Sequence, residues 1–190
     1  MFCGPVNIKS IPDDLVKELL DDFWKIYNSV KPGWYFQQFE RTKKNIAYIE
    51  GTDNNIENSG SVSFYQADKN LVNKLLDFYR TEFFMYSNMM YQVVTGGPYI
   101  APHVDDSFYR KQGCLCILEK GGNNVKTNWY LPKKDYADLE IPEATAIPYH
   151  NLDLVEEHHL EANKWYFGDF SIIHSVENLE GTRVSIVPRR

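Results

Sequence analysis

The chain has few cysteines and no long apolar run. Only three of its 190 residues are cysteine, at Cys3, Cys114 and Cys116, whereas secreted disulfide scaffolds carry a denser, even-numbered set. Cys114 and Cys116 have no second pair to complete a zinc site, so we interpret both as small buried or half-buried thiols in a reducing, cytoplasmic setting. No apolar run approaches the roughly eighteen residues of a membrane span, and the N-terminus lacks the pattern of a signal peptide.

Basic charge is also scarce. Lys and Arg number 20 against 26 Asp and Glu, which gives a formal net charge of −6. The basic residues are scattered along the chain, whereas proteins that bind nucleic acid concentrate Lys and Arg to neutralise phosphates. We therefore expect no nucleic-acid partner and no membrane partner. The acidic balance favours basic or neutral partners instead.

Two segments have the apolar period of amphipathic helices. The first follows 11–14, where a proline and two acidic residues suit a helix start, and should end at 31–33. The second covers about 68–80. Their periodic apolar residues are Leu15, Leu19, Phe23 and Ile26, then Leu71, Leu75 and Phe78. We expect both helices to brace the outside of a sheet, with a partner-binding surface as the alternative.

Nine short segments are rich in β-branched and aromatic residues and are predicted to be strands. They are 34–39, 45–49, 61–65, 83–94, 114–118, 127–131, 164–167, 171–174 and 183–187. The Gly-Gly-Asn-Asn sequence at 121–124 predicts a hairpin between two of them. The long segment 132–150, which contains three prolines, predicts either a substrate-binding loop or a passive insertion.

Many short strands and two helices indicate a closed or double-sheet β architecture. The apolar share of 43% and the aromatic share of 15% suit a well-packed core. We expect one domain over 1–190 that is mainly β with flanking helices. In this division 1–84 supplies helices and supporting strands, and 85–190 forms the β core.

Two histidines and an aspartate carry the most specific chemistry. His103 and Asp105 are two residues apart, and side chains at i and i+2 of a strand point to the same face. His174 follows much later, within another predicted strand. Two imidazoles and one carboxylate fill one face of the octahedron around non-haem Fe(II) and leave three positions open. The pattern predicts a metal site at these three residues, and the alternative is two ordinary histidines.

These residues, with those that follow His174, resemble the 2-oxoglutarate/Fe(II)-dependent dioxygenases, particularly the prolyl-4-hydroxylase-like branch. The family pattern is His-x-Asp, a distal His and then Gly-x-Arg. The matching stretches are His103-Val104-Asp105, His174 and Gly181-Thr182-Arg183. The resemblance covers roughly residues 85–190 and implies a double-stranded β-helix, the jelly roll of the cupin-like proteins.

The resemblance also implies cofactors and their contacts. The protein would use Fe(II), 2-oxoglutarate as co-substrate and dioxygen, with ascorbate as a reductant. Arg183 would hold the 5-carboxylate of 2-oxoglutarate, because a buried anion requires a paired cation and a guanidinium engages a carboxylate with two hydrogen bonds. Ser185, on the same strand face, would add its hydroxyl. Tyr91 would touch the co-substrate from the preceding strand, unless it is a core tyrosine.

The resemblance predicts hydroxylation of a C–H bond, with release of succinate and carbon dioxide. A peptide or protein side chain is the expected substrate, and prolyl residues are the first guess. The alternatives are a hydroxylase of small molecules or free amino acids, a non-catalytic metal-binding jelly roll, and a metal-dependent cupin enzyme that does not use 2-oxoglutarate. Asp105 disfavours the chlorinating branch, which has a small residue at this position. The oligomeric state stays open.

Overall fold

The computed structural model describes residues 1–29, 59–80, 88–105, 112–134 and 146–189. The strands predicted at 34–39 and 45–49 lie outside these ranges, as do the start of the strand predicted at 83–94 and most of the long segment 132–150. Within the described ranges the chain forms two antiparallel sheets and two α-helices. Neither of these helices is long and apolar enough to cross a membrane.

A six-stranded sheet and a four-stranded sheet make up the β core. In chain order the strands are β1 (Cys3–Pro5), β2 (Ser61–Gln66), β3 (Asn88–Thr95), β4 (Ile100–His103), β5 (Gln112–Glu119), β6 (Lys126–Pro132), β7 (Leu152–His158), β8 (Trp165–Asp169), β9 (Ile173–Glu177) and β10 (Arg183–Arg189). The larger sheet has the order β1-β8-β5-β10-β3-β2, and the smaller one β4-β9-β6-β7. The mainly β jelly-roll architecture expected from the sequence is confirmed. The short strands β1, β4 and β7 were not among the predicted segments.

Both helices brace the outer face of the larger sheet, as predicted. Helix α1 (Asp13–Ser29) buries Leu15, Leu19 and Phe23, while α2 (Lys69–Phe78) begins at Asp68, whose carboxylate accepts hydrogen bonds from the first backbone amides. This N-cap satisfies amides that have no partner within the helix. The residues of the larger sheet that share this helix-side core include Tyr65, Tyr91, Val93, Cys116, Trp165, Val184 and Ile186.

The two faces of the larger sheet serve different cores because side chains alternate along each strand. On β10, Val184 and Ile186 pack into the helix-side core. The alternate residues of this strand, Arg183, Ser185 and Val187, therefore point toward the smaller sheet. The apolar cluster between the sheets contains Leu115, Ile117, Trp129, Tyr166 and Val187. We call this region the inter-sheet space.

The predicted hairpin at 121–124 is wrong. The strands on either side of it belong to different sheets, because β5 pairs with β8 and β10 whereas β6 pairs with β7 and β9. The turn therefore carries the chain from one sheet to the other. The carbonyl of Gly121 accepts hydrogen bonds from the amides of Glu180 and Gly181 at 2.9 and 2.8 Å, so this turn is bonded to the one that precedes β10.

Gly121 is required at this crossing, and we predict that Gly121→Ala destabilises the fold. Its φ of +76° disfavours any side chain, and an added Cβ would lie 2.9 Å from the backbone nitrogen of Arg183. We expect the free energy of unfolding to fall by about 1–3 kcal/mol, measured by urea denaturation. Gly181→Ala is the control, because its Cβ would meet only the carbonyl of Gly121, at 3.9 Å. Equal losses in the two variants would contradict this reasoning.

Candidate metal centre

The fold brings His103, Asp105 and His174 together. His103 ends β4 and lies directly across from His174 on β9, and Asp105 follows two residues beyond His103. The Nε2 atoms of His103 and His174 lie 3.5 and 3.7 Å from Oδ1 of Asp105. One ligand atom from each of the three residues lies within 4.8 Å of the others. Both histidines are buried and Asp105 is partly exposed.

Backbone contacts orient both imidazoles. Nδ1 of His103 lies 2.7 Å from the carbonyl oxygen of Ala101, and Nδ1 of His174 lies 2.9 Å from that of Ile172. A proton on each Nδ1 is donated to these carbonyls, so each Nε2 is left as the basic nitrogen facing Asp105. This is how proteins fix the tautomer and ring direction of a metal-binding histidine.

The charge state of His174 suits metal binding. Burial, followed by the neighbouring imidazole of His103, lowers the pKa of His174 to about 4. At neutral pH the ring is therefore uncharged, and no proton has to leave before a cation binds.

The donor set fits a divalent transition metal. Two ligands at right angles around an ion, each roughly 2.1 Å from it, lie about 3 Å apart, and Oδ1 of Asp105 lies 3.5 and 3.7 Å from the two Nε2 atoms. Two imidazole nitrogens and one carboxylate match the facial triad that leaves coordination positions open. Elsewhere among the described residues no other trio of His, Cys, Asp or Glu side chains converges in this way.

Two aromatic side chains pack against His174. The indole of Trp129 stacks on His174 with ring centroids 6.2 Å apart and an interplanar angle of 27°, and Phe170 meets the same imidazole edge-on at 5.2 Å. Alternation along a strand predicts only that either Trp129 or its neighbour faces inward. The choice between them requires the strand pairing, because Trp129 lies opposite His174 in the register between β6 and β9.

Arg183 is a buried cation in the inter-sheet space. It is 5% exposed, and burial lowers the pKa of its guanidinium to about 10, so it stays protonated at neutral pH. Nη1 donates a hydrogen bond of 2.8 Å to the hydroxyl of Thr127 on β6. Within the described part of the chain no carboxylate forms an ion pair with Arg183, although an unpaired buried charge is costly.

Ser185 and Tyr91 have different positions relative to this site. Ser185 is buried and shares the inward face of β10 with Arg183. Tyr91 points the other way: it packs against Phe23 in the helix-side core and donates a 2.9 Å hydrogen bond to Asp22 of α1. Because the larger sheet separates Tyr91 from the metal-binding residues, we do not retain the co-substrate contact expected of it.

Comparison with known proteins finds similarity in structure only. No family model and no curated protein matches the sequence. A Pseudomonas putida prolyl-4-hydroxylase is similar at 13% identity over 100% of this chain and 93% of that chain, with a TM-score of 0.52. At this identity the likeness establishes the fold alone, and at that level the resemblance to the prolyl-4-hydroxylase-like dioxygenases is confirmed.

Two further solved structures are more distant. A Trichoplax adhaerens prolyl hydroxylase, in complex with a peptide fragment of the hypoxia inducible factor oxygen degradation domain, matches at 10% identity over 98% of this chain and 83% of that one, with a TM-score of 0.48. Escherichia coli YcfD matches at 14% identity over 70% of this chain, with a TM-score of 0.41. The present chain covers 34% of YcfD.

We predict that Asp105→Ala and His174→Ala each abolish stoichiometric Fe(II) binding, because each removes one of three converging ligands. Anaerobic titration calorimetry measures the binding, and circular dichroism checks that the fold is kept. His159→Ala is the control, since that side chain is 56% exposed and lies outside the trio. Parent-like iron affinity in a variant that lacks all three ligands would locate the site elsewhere.

Proposed function

We propose that this protein is an Fe(II)- and 2-oxoglutarate-dependent dioxygenase that hydroxylates a C–H bond and releases succinate and carbon dioxide. One observation carries the proposal: three metal-binding side chains and a buried guanidinium, unpaired with any carboxylate of the described residues, face the same inter-sheet space. The three ligands alone fit many metalloproteins. The buried cation beside them supports an anionic co-substrate, because a buried charge requires a counter-charge.

Arg183 supplies the binding energy for that anion. A desolvated guanidinium interacts strongly with a carboxylate because little water screens the charges, and its planar fork matches the two oxygens. Thr127 holds one nitrogen of the fork through the 2.8 Å hydrogen bond, which leaves the other donors of the guanidinium to the ligand. Ser185 is proposed as a further donor from the same face of β10.

The spacing along β6 suits a five-carbon dicarboxylate. Thr127 contacts Arg183, and Trp129, two residues further on the same strand face, stacks on His174. Two residues of a strand cover about 7 Å. A 2-oxo acid whose distal carboxylate lies at Arg183 therefore has the length to bring its other end to the metal-binding trio. Pyruvate has no second carboxylate to pair with Arg183.

The chain's own residues have defined tasks in this reaction. His103, Asp105 and His174 would hold the iron, and Arg183 would orient 2-oxoglutarate beside it. When bound, iron and 2-oxoglutarate together supply the oxidising chemistry. Trp129 and Phe170 cover His174 and exclude water from that side of the site, which limits side reactions. The protein thus contributes binding, orientation and shielding.

A peptide or protein side chain is the proposed substrate, and a prolyl residue is the first to test. The shared fold with a prolyl-4-hydroxylase motivates that choice as an analogy. The partly exposed Asp105 marks the side from which substrate reaches the metal, and such open sites at the mouth of a β-barrel-like fold admit extended chains. Free amino acids and other small metabolites form the second candidate class. The free cysteines agree with a cytoplasmic location, which stays part of the proposal.

We predict that Arg183→Ala weakens 2-oxoglutarate binding on the order of a hundredfold or more, because loss of one partner of a buried charged pair costs about 3–5 kcal/mol. Calorimetric titration of the metal-loaded protein without oxygen measures the effect. Arg183→Lys should recover part of the affinity, since it keeps the charge and loses the fork. Arg80→Ala, at a side chain 81% exposed, is the control. Unchanged affinity in Arg183→Ala would remove this residue from the co-substrate site.

The reaction itself is tested by offering proline-containing peptides and free amino acids in parallel, with iron, ascorbate and 2-oxoglutarate. We expect succinate release coupled to a mass gain of one oxygen on a peptide, and neither product with Asp105→Ala. Oxidation of a free small molecule with every peptide untouched would favour the second class. Metal binding without 2-oxoglutarate binding would favour a cupin enzyme of another kind or a non-catalytic protein.

A further inference from the structure

The strand that carries His103 is weakly supported by its own sheet. β4 has four residues and, among the strands in the described part of the chain, it pairs with β9 alone at the end of the smaller sheet. Its register with β9 is irregular between Ile100 and His103. A short edge strand with an irregular ladder does not by itself fix two metal ligands to within a fraction of an ångström, which a preorganised site requires.

The segment that contains Ile147 also contacts β4. The backbone amide of Ile147 donates a 2.8 Å hydrogen bond to the carbonyl of Pro102, the residue immediately before His103. The side chain of Ile147 is 4% exposed. Ile147 therefore contacts the ligand strand directly, although it is far from His103 in sequence.

Val104, which lies between His103 and Asp105 in sequence, packs against the apolar cluster that contains Ile147. Side chains alternate along an extended chain, so Val104 points away from the face that His103 and Asp105 share. It packs against the cluster of Tyr130, Ile147, Leu152 and Ile173. Ile173 directly precedes the third ligand, His174. This cluster thus lies beneath all three ligands, on the outer face of the smaller sheet.

We propose that Ile147 is a positioning residue for the metal site, acting through Pro102 and Val104 to set the direction of His103 and Asp105. The proposal rests on the metal-binding part of the proposed function. Backbone hydrogen bonds also contact this strand and Asp105: the amide of Asp105 donates to the carbonyl of Phe170 at 3.0 Å, and the amide of Ala101 donates to the hydroxyl of Ser59 at 3.1 Å. Without the Ile147 side chain the backbone hydrogen bond to Pro102 remains, but Val104 loses a packing partner and the direction of the two ligands is less well fixed.

The test compares Ile147→Ala with a matched deletion elsewhere. Ile11→Ala removes the same atoms from an equally buried position, 1% exposed, in the helix-side core. Metal affinity is measured with Co(II), whose visible absorption also reports the ligand geometry. We expect Ile147→Ala to lose about tenfold to a hundredfold in Co(II) affinity, as loss of a supporting partner does in metal sites, and to change the absorption spectrum. Ile147→Val should restore most of both, and Ile11→Ala should leave both unchanged.

A double-mutant cycle separates positioning from general loosening. Val104→Ala and Ile147→Ala should each weaken Co(II) binding, and together they should cost less than the product of the two separate losses, because both act through one contact. Parent-like affinity and spectrum in Ile147→Ala, equal losses in Ile11→Ala, or strict additivity in the cycle would each overturn the proposal. If Co(II) binds and responds as expected but 2-oxoglutarate does not, the proposed function fails and this inference stands. A parent protein that binds no metal overturns both.

Discussion

Burial of the Arg183 guanidinium constrains the rest of this structure. A cation taken out of water requires hydrogen bonds and a counter-charge, and in the described structure it has the hydroxyl of Thr127 from the facing sheet. That contact joins β10 to β6 across the inter-sheet space, which is mainly apolar but also contains Ser185 and His174. The proposed binding of an anion depends on this buried guanidinium, which has no carboxylate partner among the described residues.

Side chains alternate between the two faces of a strand, so the candidate site and a stabilising hydrogen-bond network lie on opposite faces of β6 and β9. On β6 and β9 the inward face presents Thr127, Trp129 and His174. The outward face carries a hydrogen-bonded group in which Tyr130 donates to Glu177 at 2.6 Å and lies 3.1 Å from the hydroxyl of Ser175. Because both faces belong to the same two strands, bonds on the outer side fix the register that sets His174 opposite Trp129. The outer network therefore supports the site without touching it.

Local patterns predicted the residues of the site better than their surroundings. The i, i+2 spacing of His103 and Asp105 and the strand context of His174 follow from the sequence, as do the helix faces built from Leu15, Leu19 and Phe23. Tyr91 shows the limit of this reasoning. Alternation predicts that its side chain points to the other face of β3 from the side chains of its two sequence neighbours, but the sequence does not indicate which face packs against the helices. The turn at 121–124 shows the same limit, since hairpin and sheet-crossing turns use the same glycines and differ only in which distant strands pair.

The contact between Ile147 and β4 could not be predicted from the sequence for the same reason. Nothing in the residues around Ile147 connects them with Pro102, because the link is one backbone hydrogen bond and an apolar contact. Among the described strands β4 pairs with β9 alone, and the carbonyl of Pro102 obtains its donor from Ile147, because a carbonyl near the core requires one. Proline at 102 offers no amide, so a regular ladder cannot form on both sides of the strand. The segment that supplies the missing donor also encloses Val104, so a need for backbone pairing is met by a residue that holds the metal ligands in direction.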